Sequence, residues 1–169
     1  MRPYAGFSFE PLGDHDRASF HCGVPSLDEY LHQRAGQDAR RKAAAPFVML
    51  APSGAIAGYY TLSAYAVRLI DLPPAIAKTL PRYPLVPATL LGRLAVSQDL
   101  QGRGLGGFLL MDALRRSLAG SRVVASAGVV ADALDDDAAA FYAYHGFKEL
   151  PQRPKTLVLP MTKIEKVLG

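Results

Sequence analysis

The sequence holds 169 residues, half of them hydrophobic and a fifth charged, with a net charge of +4 and a pI near 9.3. That length suits one domain, residues 1–169, burying roughly 68–70% of its unfolded surface without a disulfide or metal staple, and the single cysteine, Cys22, excludes an internal disulfide. No apolar run approaches the roughly 20 residues of a membrane span and Met1-Arg2-Pro3-Tyr4 lacks the apolar stretch of a secretory signal, so a cytoplasmic protein is expected, with a basic excess that permits a nucleotide or RNA partner but does not require one.

Phe7 to Pro11 reads as a first short strand. Pro25-Ser26-Leu27-Asp28 reads as a helix start with Ser26 as N-cap and Leu27, Tyr30, Leu31 and Arg34 on one face; Arg40-Arg41-Lys42 closes that region as a basic cluster. Phe47 to Leu50 and Ala57 to Leu62 flank the turn residues Pro52-Ser53-Gly54, which predicts a hairpin. Prolines 73, 74, 81, 84 and 87 break the next stretch into a short helix and an irregular loop. Ala88 to Val96 is an apolar run interrupted by Gly92-Arg93, where a bulge or a close backbone approach is expected. A glycine turn then leads into helical spacing from Leu105 to Leu118, with Leu110, Leu114 and Leu118 on one face and Gly120 as the stop. Val123 to Val130 reads as a buried strand. Asp135 to Tyr144 reads as a helix with acids in its first turn and Gly146 as its end. Phe147 to Leu150 and Thr156 to Leu159 complete the pattern as short strands. Strand, glycine turn, helix, strand, helix, strand is the order of a layered α/β domain.

The glycine turn carries the strongest chemical signal. In Gln101-Gly102-Arg103-Gly104-Leu105-Gly106 a strand passes directly into a helix whose first N–H groups have no partner inside the helix. Glycines admit a ligand close to the backbone, and the helix dipole favours an anion, so the turn is suited to phosphate oxygens, with Arg103 able to add charge-assisted hydrogen bonds. Gly102, Gly104 and Gly107 also fit the dinucleotide pattern G-x-G-x-x-G, but starting at residue 102 of 169 they leave too little chain for a doubly wound nucleotide domain. A Walker loop would need Gly-Lys-Ser/Thr, which is absent. The bland alternative is a glycine-rich connection from strand to helix.

Gln101, Gly104 and Gly106 match Q/R-x-x-G-x-G/A, and the turn resembles the coenzyme A loop of the GNAT acetyltransferase superfamily. Leu91-Gly92-Arg93-Leu94-Ala95-Val96 before it, and Ala138-Ala139-Ala140-Phe141-Tyr142-Ala143-Tyr144-His145-Gly146-Phe147 after it, are similar to segments of the same superfamily. The resemblance implies a mixed, mainly antiparallel α/β (α+β) sheet with a splayed strand pair and helices on both faces. It implies acetyl-CoA as cosubstrate and no metal. Leu94, Ala95 and Val96 would hold the pantetheine arm through main-chain groups, and Gln101, Gly102, Arg103, Gly104, Leu105 and Gly106 would hold the diphosphate. Phe20 to Gly23, Leu27-Asp28, Tyr30-Leu31, Ala35 with Gln37-Asp38, Gly58 to Ser63 and Pro84 to Pro87 extend the resemblance to toxin acetyltransferases of bacterial toxin–antitoxin systems. Enzymes of that subclass acetylate the α-amine of aminoacyl-tRNA, are often dimers, and are neutralised by a ribbon-helix-helix antitoxin. Ser97 replaces the Asp that many relatives carry after LAV, and Ala43-Ala44-Ala45 follows the basic cluster in place of a more polar segment. Both departures bear on amino-acid and tRNA preference, not on cofactor use.

Amide formation from a thioester needs a neutral amine, a stabilised carbonyl oxygen and a protonated leaving thiolate. A phenol with a pKa of about 10 is a competent proton donor to that thiolate. The resemblance places Tyr142 in the general-acid role; read from the helix alone it is a packing aromatic, as His145 is. The Val96 N–H is a candidate oxyanion donor. No general base stands out, which suits an α-amine with a pKa of about 8 better than a lysine at about 10.4. Arg34, Arg40, Arg41, Lys42, Arg82 and Arg93 are candidate phosphate contacts, Arg40, Arg41 and Arg93 foremost, against a solvated helix face as the plain reading of the first four. Other expectations are an acetyltransferase of a small-molecule or protein amine, and a noncatalytic CoA-binding regulatory module.

Overall fold

A computed structural model describes residues 4–169; Met1, Arg2 and Pro3, part of the stretch read above for a leader, lie outside the described residues. The described strands are β1 (Ser8–Pro11), β2 (Ala45–Leu50), β3 (Ile56–Arg68), β4 (Leu85–Val96), β5 (Gly128–Asp132), β6 (Lys148–Leu150) and β7 (Arg153–Pro160). The helices are α1 (Pro25–Glu29), a π-turn (Tyr30–Arg34), α2 (Ala35–Arg40), α3 (Pro74–Ala77), α4 (Leu105–Ser121), α5 (Asp136–Tyr144) and α6 (Met161–Leu168). The sheet order is β1-β2-β3-β4-β5-β7-β6. β1–β2, β2–β3, β5–β7 and β6–β7 are antiparallel, and β4–β5 is parallel. This is the mixed, mostly antiparallel α/β architecture expected from the sequence.

The chain forms two compact units: residues up to Ser63 with Arg93–Ala113, and Ala64–Gly92 with Leu114–Gly169. β3, β4 and α4 each contribute residues to both. In the first unit, Phe20, Tyr30, Leu31, Ala35, Val48, Ile56, Tyr59 and Ala95 pack into one buried cluster. The hairpin from β2 to β3 is closed by Ala51 N–H to Ala55 O (2.9 Å). Gly58 lies where β3 meets the end of β4, and a Cβ there would stand 2.8 Å from the Ala95 carbonyl oxygen. In the second unit, Val67, Leu72, Val86, Ala88, Val130, Leu150 and Val158 form a separate buried cluster.

Several local expectations are corrected. Helix α1 starts at Pro25 with Val24 as its N-cap, so Ser26 lies inside the helix. The face expected at Leu27, Tyr30, Leu31 and Arg34 shifts because Ala35 N–H bonds the Tyr30 carbonyl, five residues back. That widened turn buries Ala35 and leaves Arg34 exposed. Pro87 is part of β4, which begins at Leu85, and its carbonyl accepts Ala127 N–H at 2.8 Å. Gly120 does not stop α4, which runs to Ser121. The carbonyls of Ala119 and Gly120 then take the N–H groups of Arg122, Val123 and Val124, so Val123 and Val124 form an exposed helix exit and β5 starts only at Gly128. Helix α6, with Met161 and Ile164 buried and Val167 exposed, was not anticipated.

Candidate functional site

The glycine turn lies in the first unit. After β4, Ser97 N–H bonds the Ala57 carbonyl (2.7 Å) and Gln98 N–H bonds the His21 carbonyl (2.8 Å), tying the strand's exit to its neighbours. The Gln101 side-chain amide donates to the Cys22 carbonyl at 2.8 Å and to the Val96 carbonyl at 3.0 Å. Gln101 therefore shapes the loop, and the Val96 carbonyl is already hydrogen-bonded within the protein. Gly102 (φ +82°) and Gly104 (φ +77°) supply the left-handed backbone that turns the chain into α4. Nothing lies within 4 Å of a Cβ built on Gly102, while one on Gly104 would meet the Tyr4 hydroxyl at 3.0 Å. Gly104 O accepts the first bond of α4, from Phe108 N–H (3.3 Å). The amides of Leu105, Gly106 and Gly107 accordingly belong to the first turn, which carries no acidic side chain that would compete with an anion. Leu105 anchors this turn with a side chain only 3% exposed, and Arg103 is exposed. The turn thus offers left-handed glycines, first-turn amides and one free-standing cation to an anionic group. A diphosphate fits that donor set.

Upstream of the loop, Leu94 and Val96 are half-buried and Ala95 is buried. The parallel ladder between β4 and β5 runs from Thr89–Val129 to Leu91–Ala131. Arg93 is half-buried with its guanidinium carbon 3.6 Å from the Tyr30 ring centroid, a cation–π arrangement. Among the described residues no carboxylate pairs with it. The Tyr30 hydroxyl donates to Asp38 Oδ2 at 2.7 Å, and burial, reinforced by that carboxylate, lifts the phenol to about 12. Arg40 and Arg41 are exposed at the C-terminus of α2, where Lys42 takes φ +61°; cations at this position also complement the helix dipole. Arg82 is exposed in the second unit.

Tyr142 lies in the second unit, on the last turn of α5. Asp135 caps that helix by accepting Ala138 N–H (2.9 Å), Asp136 and Asp137 follow in its first turn, and Gly146 (φ +97°) lets the chain leave it. Tyr142 is 5% exposed, and its ring packs on Phe141 and Phe147, each with centroids 5.3 Å away. Burial, with the Asp132 carboxylate adding to it, pushes this phenol above its ordinary value. Its hydroxyl forms no hydrogen bond to another described residue, and no buried side-chain oxygen here lacks a partner, so that oxygen keeps contact with solvent. The result is a phenol that holds its proton and can present it. Tyr144 is 85% exposed, and burial lowers the His145 pKa while its ring packs on Phe141 and Tyr144. The sequence places Gln101 at the diphosphate, but its side chain is turned to the Cys22 and Val96 carbonyls; sequence reasoning missed that role, the stacking of Arg93 on Tyr30, and Tyr4, because each depends on residues far apart in the chain.

Residues 47–149 match the family model described as an acetyltransferase (GNAT) domain. The chain belongs to the GNAT acetyltransferase family. Within that family it is 36% identical over 154 residues to the tRNA-acetylating toxin of Mycobacterium tuberculosis, covering 91% of each chain. It is 29% identical over 170 residues to the probable toxin TacT of Sinorhizobium fredii, covering 95% of this chain and 94% of that one. Among solved structures, a Tyr-to-Phe mutant of KacT aligns with a TM-score of 0.90 at 27% identity, over 96% of this chain and 99% of that one. AtaT complexed with acetyl-methionyl-tRNAfMet aligns with a TM-score of 0.88 at 29% identity, again over 96% and 99%. Among the described residues of this GNAT protein, no helix is long and apolar enough to cross a membrane, and no group of three or more His, Cys, Asp or Glu side chains is placed to hold a metal.

Proposed function

We propose that this protein is an acetyl-CoA-dependent N-acetyltransferase that acetylates the α-amine of aminoacyl-tRNA in the cytoplasm and thereby blocks translation, as a single GNAT domain over residues 1–169. The observation that carries the substrate is the 36% identity to a tRNA-acetylating toxin across 91% of both chains. Other relatives point the same way: AtaT has been solved with acetyl-CoA, and also bound to the C-terminus of the antitoxin AtaR. An antitoxin is accordingly the protein partner in this reading; its ribbon-helix-helix fold and a toxin homodimer rest on the family resemblance alone.

In this reading the amides of the first turn of α4, with Gly102, Arg103 and Gly104, hold the diphosphate of acetyl-CoA, and main-chain groups of Leu94 to Val96 align its pantetheine arm. The neutral amine nitrogen attacks the thioester carbonyl carbon while the Val96 N–H supports the oxygen as it gains charge. The carbon–sulfur bond then breaks, and the departing thiolate takes the phenolic proton of Tyr142. The amine proton passes to water, which suffices because an α-amine with a pKa of about 8 is partly neutral near pH 7. Tyr142 recovers its proton from solvent, through the hydroxyl edge that remains wet. Arg93, Arg40 and Arg41 are assigned to RNA phosphates or the aminoacyl terminus.

The test is incubation of the protein with labelled acetyl-CoA and bulk aminoacyl-tRNA. Label recovered as N-acetyl-amino acid after release from tRNA supports the assignment. Label appearing only on free amines or protein lysines would replace the substrate, and acetyl-CoA binding without transfer to any acceptor would replace the enzyme with a regulatory CoA-binding module.

A further inference from the structure

The amino-terminal segment bears on the glycine loop in a way that the family motifs leave unassigned. Tyr4, 100 residues before Gly104, donates its phenolic hydrogen bond to the Gly104 carbonyl at 3.3 Å. Its ring stacks on Phe108, with centroids 4.2 Å apart and planes 11° from parallel, and Phe9 of β1 packs on the other partner of that stack, 5.0 Å from the Phe108 centroid. Phe108 is the residue whose own N–H bonds the same Gly104 carbonyl. One carbonyl oxygen is therefore gripped from two directions by a pair of stacked aromatic residues, and all four residues belong to the first unit.

The orientation of that carbonyl sets the anion site. In a trans peptide the C=O of one residue and the N–H of the next point in opposite directions. Fixing Gly104 O toward Phe108 N–H and the Tyr4 hydroxyl therefore fixes Leu105 N–H the other way, out of the helix start. Gly104 needs this restraint more than most residues, since its left-handed φ of +77° has no Cβ to limit its neighbours. Gly102, also at positive φ, has no comparable contact.

We infer that Tyr4 is a positioning residue for the acetyl donor: it locks the Gly104–Leu105 peptide so that the first-turn amides of α4 face the diphosphate. The inference rests on the proposed use of acetyl-CoA and adds the amino-terminal segment to the donor-binding apparatus. Tyr4 does not touch the reacting atoms, so the effect belongs to donor binding and not to the chemical step.

The experiment compares wild type, Tyr4→Phe and Tyr4→Ala with two donors, acetyl-CoA and S-acetyl-pantetheine, the second of which lacks the diphosphate. Loss of one neutral hydrogen bond is expected to raise the KM for acetyl-CoA about threefold in Tyr4→Phe, and loss of the stack as well about tenfold or more in Tyr4→Ala. Both variants should keep the wild-type kcat, and their kcat/KM with S-acetyl-pantetheine should match wild type. A KM for acetyl-CoA unchanged in Tyr4→Ala overturns the inference, as does an equal fall in kcat/KM with both donors, which would mark a general packing role. Tyr4→Phe retains the ring on Phe108, so its result stands even if Tyr4→Ala fails to fold. Calorimetric titration of the wild type with acetyl-CoA separates the two levels: no binding overturns the proposed function together with this inference, whereas binding with a Tyr4-independent KM overturns the inference alone.

Discussion

In the proposed mechanism, the loop at residues 101–107 and the helix end at 141–147 serve one reaction by opposite physical means. The loop works through its backbone. Its glycines take positive φ, its amides are left free by helix geometry, and its one charged side chain, Arg103, is exposed. The helix end would work through one side chain, the Tyr142 phenol, whose ring is packed among aromatic neighbours so that burial raises its pKa while the hydroxyl edge still meets solvent. A backbone site tolerates changes of side-chain chemistry but not an added Cβ; a buried side-chain site tolerates changes of shape but not the loss of one oxygen. The two regions should therefore fail differently when altered.

The largest expected effect is on Tyr142→Phe. It should lower kcat by about 10²- to 10⁴-fold, the usual value of a general acid, while acetyl-CoA affinity stays within twofold of wild type. Steady-state kinetics with charged tRNA and a direct binding titration check both halves, and a variant with near-normal kcat would remove the acid role. Because the phenol is raised above its ordinary value of about 10, the alkaline fall in kcat should lie above pH 10. Stability follows the same group: the folded phenol keeps its proton where an unfolded tyrosine loses it. Its contribution is therefore full below about pH 10 and declines as pH rises through the folded value, which denaturant titrations across that range would show.

Next in size, Gly104→Glu should raise the KM for acetyl-CoA by about 10- to 100-fold with little change in kcat. Three effects act together: positive φ, the Tyr4 hydroxyl 3.0 Å from the new Cβ, and a carboxylate set against a diphosphate. Gly102→Ala is the milder counterpart. It shares the left-handed φ but meets nothing within 4 Å, so only backbone strain of about 1–2 kcal/mol is expected, seen as a lower Tm with a nearly normal KM. If both glycine variants behaved alike, the contrast between a clamped and an open turn position would be wrong. The smallest of these effects should come from Gln101→Ala. Loss of its bonds to Cys22 and Val96 should cost about 1–2 kcal/mol in denaturant unfolding and raise KM only slightly, because the side chain shapes the loop from behind.

Much of this was legible in the sequence because the signals were local. The 105–118 leucine spacing, the acids in the first turn of α5 and the Gly146 exit need only neighbouring residues to be read, and the structure keeps all three, with Asp135 becoming the N-cap rather than the first helical residue. The local corrections arose where distant or cooperative terms decided. Packing of Leu114 and Leu118 carried α4 past Gly120, and the π-turn at Tyr30 re-aimed the buried face from Arg34 to Ala35. Arg93 could be flagged as a charge inside an apolar strand, yet its resting place over Tyr30 depends on residues 63 positions apart.

The sequence alone determined that a glycine turn leads into α4, that α5 begins with acids and is left at Gly146, and which motifs the chain shares with acetyltransferases, since each is written in contiguous residues. The tertiary structure alone decided that Gln101 faces the Cys22 and Val96 carbonyls, that Tyr4 grips Gly104, and that burial lifts the Tyr142 phenol above its ordinary pKa. Hydrogen-bond partners and burial are properties of groups brought together from across the chain, and no local pattern encodes which groups those are.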